Sequence, residues 1–361
     1  MRKSMTAGAV TSPADGKEPI VSPRLKMLFG RLVRRRLDAA VIRLEANVRA
    51  FAGIECDNAV LVLTPDGRAA LYTDFRYAPM VRRVAPWLQC RDLRALRLRG
   101  RRIGYETAVT HAQFLAWQKL APRAAFVDIS RDLALLRAVK SPEEIAALRR
   151  AEALDCEIWQ AAKRRFRPGM SELDMARSIR RMMIDRGDGE AFATIVCIGK
   201  NAAECHHVPD DTRWDGREPV LVDMGVKLDG WCSDLTRNLL PARPSRAYRE
   251  AYRLVREANA AAIAAARPGM TGKALDAVAR RIIAKGGFGR AFGHSLGHGV
   301  GLEIHEPPYA SKSSDWVLRP GMLVTIEPGI YLEGNFGIRI EDLILITEDG
   351  CEVLSGVSPC C

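Results

Sequence analysis

The sequence predicts an α+β chain of two domains, a front α/β domain followed by a larger α+β domain built from two related halves. Three observations predict it. In the front third, an amphipathic helical stretch alternates with short apolar runs of strand length. Near Val139 the chain passes through Lys140-Ser141-Pro142-Glu143-Glu144, a helix-start signal that separates two different patterns. Beyond it, Arg167-Pro168-Gly169-Met170-Ser171 recurs 100 residues later as Arg267-Pro268-Gly269-Met270-Thr271.

Residues 1–22 are polar, without periodicity, and are expected to form a flexible tail. The front domain spans 23–139. An amphipathic helix is expected over Arg24 to Leu37, then strands over Ala39 to Ile42 and Ala59 to Leu63, a turn at Pro65-Asp66-Gly67, and a strand over Ala69 to Tyr72. The rear domain spans 140–361. Ser141 is placed to cap a long helix running to about Phe166, with Pro142 in its first turn and Glu144 completing a capping box.

Each copy of the repeat is preceded by an Ala-rich helix and followed by a second helix, with Ser171 or Thr271 as N-cap and Gly187 or Gly286 at the end. The likeness continues into strands. Val220-Leu221-Val222-Asp223 parallels Leu323-Val324-Thr325-Ile326-Glu327, an apolar run that ends in a carboxylate. After a glycine-containing turn each is followed by a second acid, Asp234 after 11 residues and Glu341 after 14. Two hairpins therefore supply two carboxylates apiece.

Bulk properties narrow the function class. The 361 residues are 48% hydrophobic, enough for two buried cores. No apolar run approaches the roughly 20 residues that span a bilayer, and Met1 to Lys17 lacks a signal-peptide pattern, so a cytoplasmic protein without membrane contact is expected. Nine cysteines in an odd set without CxxC pairs read as reduced thiols, and the terminal Cys360-Cys361 is not a prenylation box. The formal charge of +12 lies in the front: residues 1–137 hold 25 Lys/Arg against 12 Asp/Glu. Arg34-Arg35-Arg36 and the cluster Arg94, Arg97, Arg99, Arg101 and Arg102 lack interleaved aromatics, which favours a solvated surface over nucleic-acid binding.

The four acids carry the chemistry. Asp223 sits between Val222 and Met224, and Glu341 lies between Ile340 and the apolar run Leu343 to Ile346. A carboxylate inside such a strand is buried, and buried carboxylates are paired, hydrogen-bonded or bound to metal. Five of the six histidines, His206, His207, His294, His298 and His305, fall in the same domain, three of them within His294-Ser-Leu-Gly-His298-Gly-Val-Gly-Leu-Glu-Ile-His305. Carboxylate-rich ligation with an imidazole suits Mn²⁺, Co²⁺ or Zn²⁺. Five ligands crowd one ion but fit two sharing bridging carboxylates, the clamp used in hydrolysis.

The stretch His294 to Glu306 matches, at all 13 positions, the signature of proline-specific metallopeptidases such as aminopeptidase P and prolidase, the pita-bread group that also includes creatinase and methionine aminopeptidase. Val-Asp223-Met-Gly, Ser-Asp234-Leu-Thr-Arg, Thr-Ile-Glu327-Pro-Gly-Ile-Tyr and Gly-Ile-Arg339-Ile-Glu341-Asp agree in order, as do Asn47-Val-Arg49 and Thr73-Asp74-Phe-Arg76-Tyr77 in the front. The chain thus resembles that family over nearly all its length. The resemblance implies a pita-bread catalytic domain with a pseudo-twofold repeat behind a creatinase-like α/β domain. It implies two divalent ions, Mn²⁺ foremost, with Asp223 chelating one, Asp234 and Glu341 bridging both, and His298 and Glu327 completing the second. Glu327 would shuttle the proton of the attacking water. His206 and His305 would contact the substrate, with His207 as competitor for the role of His206; His294 would line the proline pocket, and Arg339 would support Glu341 from behind the ions.

Some prolidases carry an arginine four residues after the equivalent of His305, where it captures a dipeptide's carboxylate. Here that position is Tyr309, which favours aminopeptidase P-like cleavage of longer peptides over dipeptidase activity. The expected partners are proline-containing peptides and a second copy of the chain in a homodimer. The reading from a different class, a non-catalytic pita-bread binding protein, sits poorly with an intact ligand set.

Overall fold

The structure is a computed structural model and describes residues 22–356. The expected tail lies outside them, apart from Ser22, as does the Cys360-Cys361 pair. The described residues form two compact units that divide between Arg137 and Ala138.

The first unit runs α1 (Pro23–Arg34), β1 (Ala39–Ile42), α2 (Glu45–Ala52), β2 (Val60–Leu63), β3 (Ala69–Thr73), α3 (Ala78–Val84), β4 (Gln89–Asp92), β5 (Arg102–Tyr105), α4 (His111–Leu120), β6 (Ala125–Asp128) and α5 (Ser130–Ala138). The strands form one mixed sheet in the order β4-β3-β2-β1-β5-β6. Leu25, Leu28 and Leu32, one stripe of α1, pack into a core with Ala40 and Ile42 of β1. The helix stops three residues short of the sequence expectation. Arg36 takes a left-handed φ of 53°, which a continuing helix cannot accommodate. Buried Glu106 organises the next connection: its carboxylate accepts from the backbone N–H of Arg43 and Leu44 and from Asn47 Nδ2 at 2.6 Å, and Asn47 in turn accepts from Arg137. Several of the arginines are consumed locally, Arg31 and Arg35 by Asp132 and Arg76 by Asp74.

The second unit runs α6 (Pro142–Arg165), α7 (Glu172–Arg186), β7 (Gly189–Glu190), β8 (Ile195–Ile198), β9 (Val220–Met224), β10 (Val226–Leu228), β11 (Trp231–Cys232), β12 (Leu235–Leu239), α8 (Arg246–Ala265), α9 (Gly272–Lys285), β13 (Gly297–Gly299), β14 (Glu306–Ala310), β15 (Leu323–Ile326), β16 (Gly329–Leu332), β17 (Phe336–Arg339), β18 (Asp342–Ile346) and β19 (Cys351–Val353). The capping box of Ser141 and Glu144 is formed, and Ser171 and Thr271 cap α7 and α9.

The two hairpins are nested rather than simple. β9 pairs antiparallel with β12, placing Asp223 opposite Thr236, while β10 and β11 form a smaller ribbon between them. In the second copy β15 pairs with β18, and β16 with β17 inside that pair. The inner strands are too short to show a hydrophobic period, which is why the sequence reads as a single turn.

The seam between the halves is polar and closed. Arg237 of β12, almost fully buried, donates to Asp342 Oδ1 at 2.6 Å and to the Glu341 carbonyl at 2.5 Å; Asn238 Nδ2 reaches the Arg339 carbonyl at 2.5 Å. The acids cluster at this seam. All seven cysteines among the described residues are free thiols, and no described helix is long and apolar enough to cross a membrane.

Candidate metal centre

Asp223, Asp234, Glu327 and Glu341 converge from the two copies of the repeat. Asp223 and Glu341 lie on or beside paired strands, Asp234 precedes β12, and Glu327 follows β15, its N–H held by the Leu296 carbonyl at 2.8 Å. All line one cavity of about 470 Å³, together with His206, His294, His298, His305 and Arg339. His207 also lines it.

Four carboxylates in one buried place repel one another. Burial and then the charge of Glu341 hold the Asp234 carboxyl well above its usual range, and burial followed by Glu327 does the same to Glu341. Burial pushes Glu327 up to about 8, opposed by Arg339. Arg339 is the one arginine or lysine lining the cavity among the described residues. It is fully engaged, donating to Asp223 Oδ2 at 2.5 Å, to the Tyr331 hydroxyl at 2.7 Å and to Thr236 Oγ1 at 3.0 Å. Thr236 donates onward to Glu341 Oε2 at 2.7 Å.

Two observations show what this cluster is built to hold. Asp223 Oδ1 is buried without a hydrogen-bond partner, which costs free energy unless a positive centre faces it. His298 supplies the second. Its backbone N–H is fixed by Thr325 Oγ1 at 3.0 Å and its Nδ1 meets the Gly299 carbonyl at 3.1 Å, so Nδ1 carries the ring hydrogen. Burial, then His305, lowers its pKa to about 4, so the ring is neutral near pH 7. Its Nε2 therefore presents a lone pair to Asp234 Oδ2 at 3.5 Å and Glu327 Oε1 at 3.4 Å. An imidazole nitrogen within 3.5 Å of two carboxylate oxygens is a donor set that fits a cation.

The glycines flanking His298 have a steric reason. A Cβ at Gly297 would lie 1.9 Å from the Thr325 carbonyl oxygen, and one at Gly299 would lie 2.5 Å from that of Pro307. Only glycine lets β13 press onto β15 and β14 closely enough to aim His298 at the acids.

The other histidines differ in freedom. His294 is committed at both nitrogens, Nδ1 to the Ser295 carbonyl at 2.7 Å and Nε2 to the Tyr331 hydroxyl at 2.9 Å. Burial, then Arg339, lowers its pKa to about 4, leaving a neutral ring that serves as wall. His305 is exposed, with its ring 4.4 Å from that of His298. His206 is exposed and His207 is tied to Glu172 at 2.7 Å. Tyr309 is not among the cavity residues: it lies on β14 opposite His298, 40% exposed, with its carbonyl taken by Ser314 Oγ. Tyr331 and Thr236, which link Arg339 to its surroundings, fall within the motifs that carry the family resemblance but take no role from the sequence, because a tyrosine or a threonine in an apolar strand carries no chemical signal of its own.

Residues 146–348 match Metallopeptidase family M24, and residues 24–139 match the Creatinase/Prolidase N-terminal domain. The chain belongs to metallopeptidase family M24. Its second unit has the pita-bread fold of that family. Among curated relatives, this M24 peptidase is 34% identical to the uncharacterized peptidase YqhT of Bacillus subtilis, over 91% of this chain and 95% of that one. It is 32% identical to the Xaa-Pro dipeptidase of Pyrococcus furiosus, over 92% and 97%. Among solved structures, the prolidase of Pyrococcus horikoshii OT3 superposes with a TM-score of 0.89 at 31% identity, covering 93% of this chain and 99% of that one. The X-Pro aminopeptidase of Thermotoga maritima does so with 0.82 at 30%, covering 93% and 98%. M24 metallopeptidases use divalent metals, and the acids, His298 and the unpartnered Asp223 oxygen form a donor set suited to one.

Proposed function

We propose that this M24 peptidase is a dinuclear exopeptidase that hydrolyses the Xaa-Pro bond at the N-terminus of peptides. The observation that carries the reading is the lone pair of a neutral His298 aimed at two carboxylate oxygens, within a four-acid cluster where, among the described residues, Arg339 is the one arginine or lysine lining the cavity. Asp223, Asp234, His298, Glu327 and Glu341 would hold the ions, Asp234 and Glu341 serving both. When bound, such ions supply positive charge that polarises the scissile carbonyl and activates water.

The remaining work falls to side chains. Glu327 takes the proton of the attacking water on Oε2, the oxygen not held by Thr325, and delivers it to the departing proline nitrogen. His305 and His206, the two exposed histidines of the cavity, donate to the substrate carbonyl as negative charge develops on it. His294 has no free nitrogen, so it supports a ring rather than a polar group, and it backs the proline; Phe192, Ile195, Val208 and Pro209 give the cavity its apolar side. Arg339 holds Asp223 in place through Oδ2.

Peptide length follows from charge. A dipeptidase must capture the free carboxylate next to the proline. Among the described residues that line the cavity, no cation is free for this, and Tyr309 is neutral. That supports aminopeptidase P-like cleavage of longer peptides. The names of the Pyrococcus relatives favour the second reading, an Xaa-Pro dipeptidase. Parallel assays of Gly-Pro and Arg-Pro-Pro separate the two: hydrolysis of the dipeptide alone overturns the length argument. Mn²⁺ as the ion and a homodimer as the active form rest on family resemblance, and metal quantification and sedimentation test them.

A further inference from the structure

The internal repeat offers a control that few sites have, because the same backbone motif occurs twice in one chain. In the first copy Gly169 N–H donates to the Trp214 carbonyl at 2.8 Å, Glu172 N–H to that of Thr212 at 3.1 Å and Leu173 N–H to that of Asp210 at 3.1 Å. In the second, Gly269 donates to Leu318 at 2.9 Å, Gly272 to Trp316 at 2.8 Å and Lys273 to Ser314 at 3.2 Å. Helix start and returning loop thus correspond bond for bond.

Among the positions that make these bonds, one differs between the copies in a way that bears on the site. The second has Gly272, where any Cβ would lie 2.0 Å from the Tyr309 carbonyl oxygen. The first has Glu172, wholly buried, with both oxygens in use. Oε1 accepts from Ile198 N–H at 2.6 Å and Asn201 Nδ2 at 3.0 Å; Oε2 accepts from Asp210 N–H at 3.1 Å and contacts His207 Nε2 at 2.7 Å. The motif itself does not need this carboxylate, since its twin forms without one. All four partners lie in residues 198–210, the segment that carries His206.

We propose that Glu172 is a positioning residue for the reaction, fixing this segment so that His207 is drawn down as an anchor and His206 is presented to the substrate. A second tether acts from the other side: the segment's Ala202 carbonyl abuts Gly337, and Arg339 Nη1 reaches the Cys205 carbonyl at 3.4 Å. The segment is therefore held between the start of α7 and the arginine that grips Asp223. Glu172, His207 and Asp210 also have the composition of a cation site. Four hydrogen-bond partners already occupy the Glu172 oxygens, two of them backbone N–H groups, so the cluster is an anchor.

The proposal rests on the reading of His206 as a substrate contact. Its test uses the full chain loaded with Mn²⁺ and a double-mutant cycle of Glu172→Gln and His206→Asn on Arg-Pro-Pro. Each single variant is expected to lose roughly 100-fold in kcat/KM, the scale of a slight misplacement of a reacting group. The double variant is expected to lose no more than His206→Asn alone, because Glu172 acts through His206. Bound Mn²⁺ per chain stays unchanged in Glu172→Gln. Hydrogen exchange of the metal-free protein adds a readout without activity: amides of 198–210 exchange at least about 10-fold faster in the variant, while those of 314–318 do not change. If Glu172→Gln does not fold, His207→Asn takes its place in the cycle with the same expectation.

Additive losses overturn the proposal, as does loss of Mn²⁺, which would make Glu172 a ligand. A wild-type chain with no metal-dependent Xaa-Pro hydrolysis overturns the functional reading and the proposal with it, whereas an active wild type with an additive cycle overturns the proposal alone.

Discussion

Arg339→Met removes the one arginine or lysine that lines the cavity among the described residues and leaves its partners in place. Arg339 is 3% exposed and donates to Asp223, Tyr331 and Thr236. Without it Asp223 loses the partner of Oδ2, while Oδ1 already has none, and Glu327 and Glu341 lose the positive charge that opposes their repulsion. Removing one member of a buried ion pair costs about 3–5 kcal/mol, and in a unit of this size that lowers Tm by roughly 6–20 °C. Divalent ions compensate the same charge from the other side. The deficit measured by thermal denaturation in chelator is therefore expected to shrink to less than half at saturating Mn²⁺. Catalysis, with Asp223 no longer oriented, is expected to fall about 10- to 100-fold even when loaded. An equal Tm deficit with and without Mn²⁺ would refute the argument that arginine and metal share the neutralisation of one cluster.

Two further outcomes follow from particular bonds. Tyr331→Phe removes the hydroxyl between Arg339 and His294; urea denaturation should show a loss of about 1–3 kcal/mol, with kcat/KM reduced and metal content intact, and lost metal would contradict the role given to Tyr331. In the first unit, burial raises the Glu106 carboxyl above 4.5. A carboxyl raised in the folded state stabilises fully below its unfolded value, and that contribution is lost as pH rises through the folded value. The stability of the wild type relative to Glu106→Gln should therefore decline as pH is raised from about 4.5 toward neutrality; a difference that grows with pH would show that the carboxyl is lowered instead.

The site was legible in the sequence because its chemistry breaks a pattern. Asp223 and Glu341 interrupt apolar strands, where an acid must be paired, hydrogen-bonded or bound to metal. The repeat was legible because Arg-Pro-Gly-Met followed by Ser or Thr recurs without a gap. What stayed hidden depends on contacts distant in sequence. Glu172 stands at a helix start where an acid is ordinary, and only its four partners 26–38 residues away reveal its task. The His206 and His207 pair is ambiguous in sequence, and their neighbours separate them: one is exposed, the other bound to Glu172. The nested inner strands and the early end of α1 are not legible because strands of two to four residues carry no clear period and a single left-handed arginine has no signature. Tyr309 was read by its distance from His305 alone, and spacing along β14 does not say which side chains reach the cavity.

On the proposed function, five side chains of the second unit hold ions without which the Xaa-Pro bond is not cut. This is tested most directly by titrating Mn²⁺ into exhaustively stripped protein while following release of arginine from Arg-Pro-Pro, beside Glu327→Ala. The expected result is no hydrolysis at zero metal, a rise to a plateau near roughly two ions per chain, and no turnover by Glu327→Ala at any metal concentration. Undiminished hydrolysis by the stripped protein would contradict it.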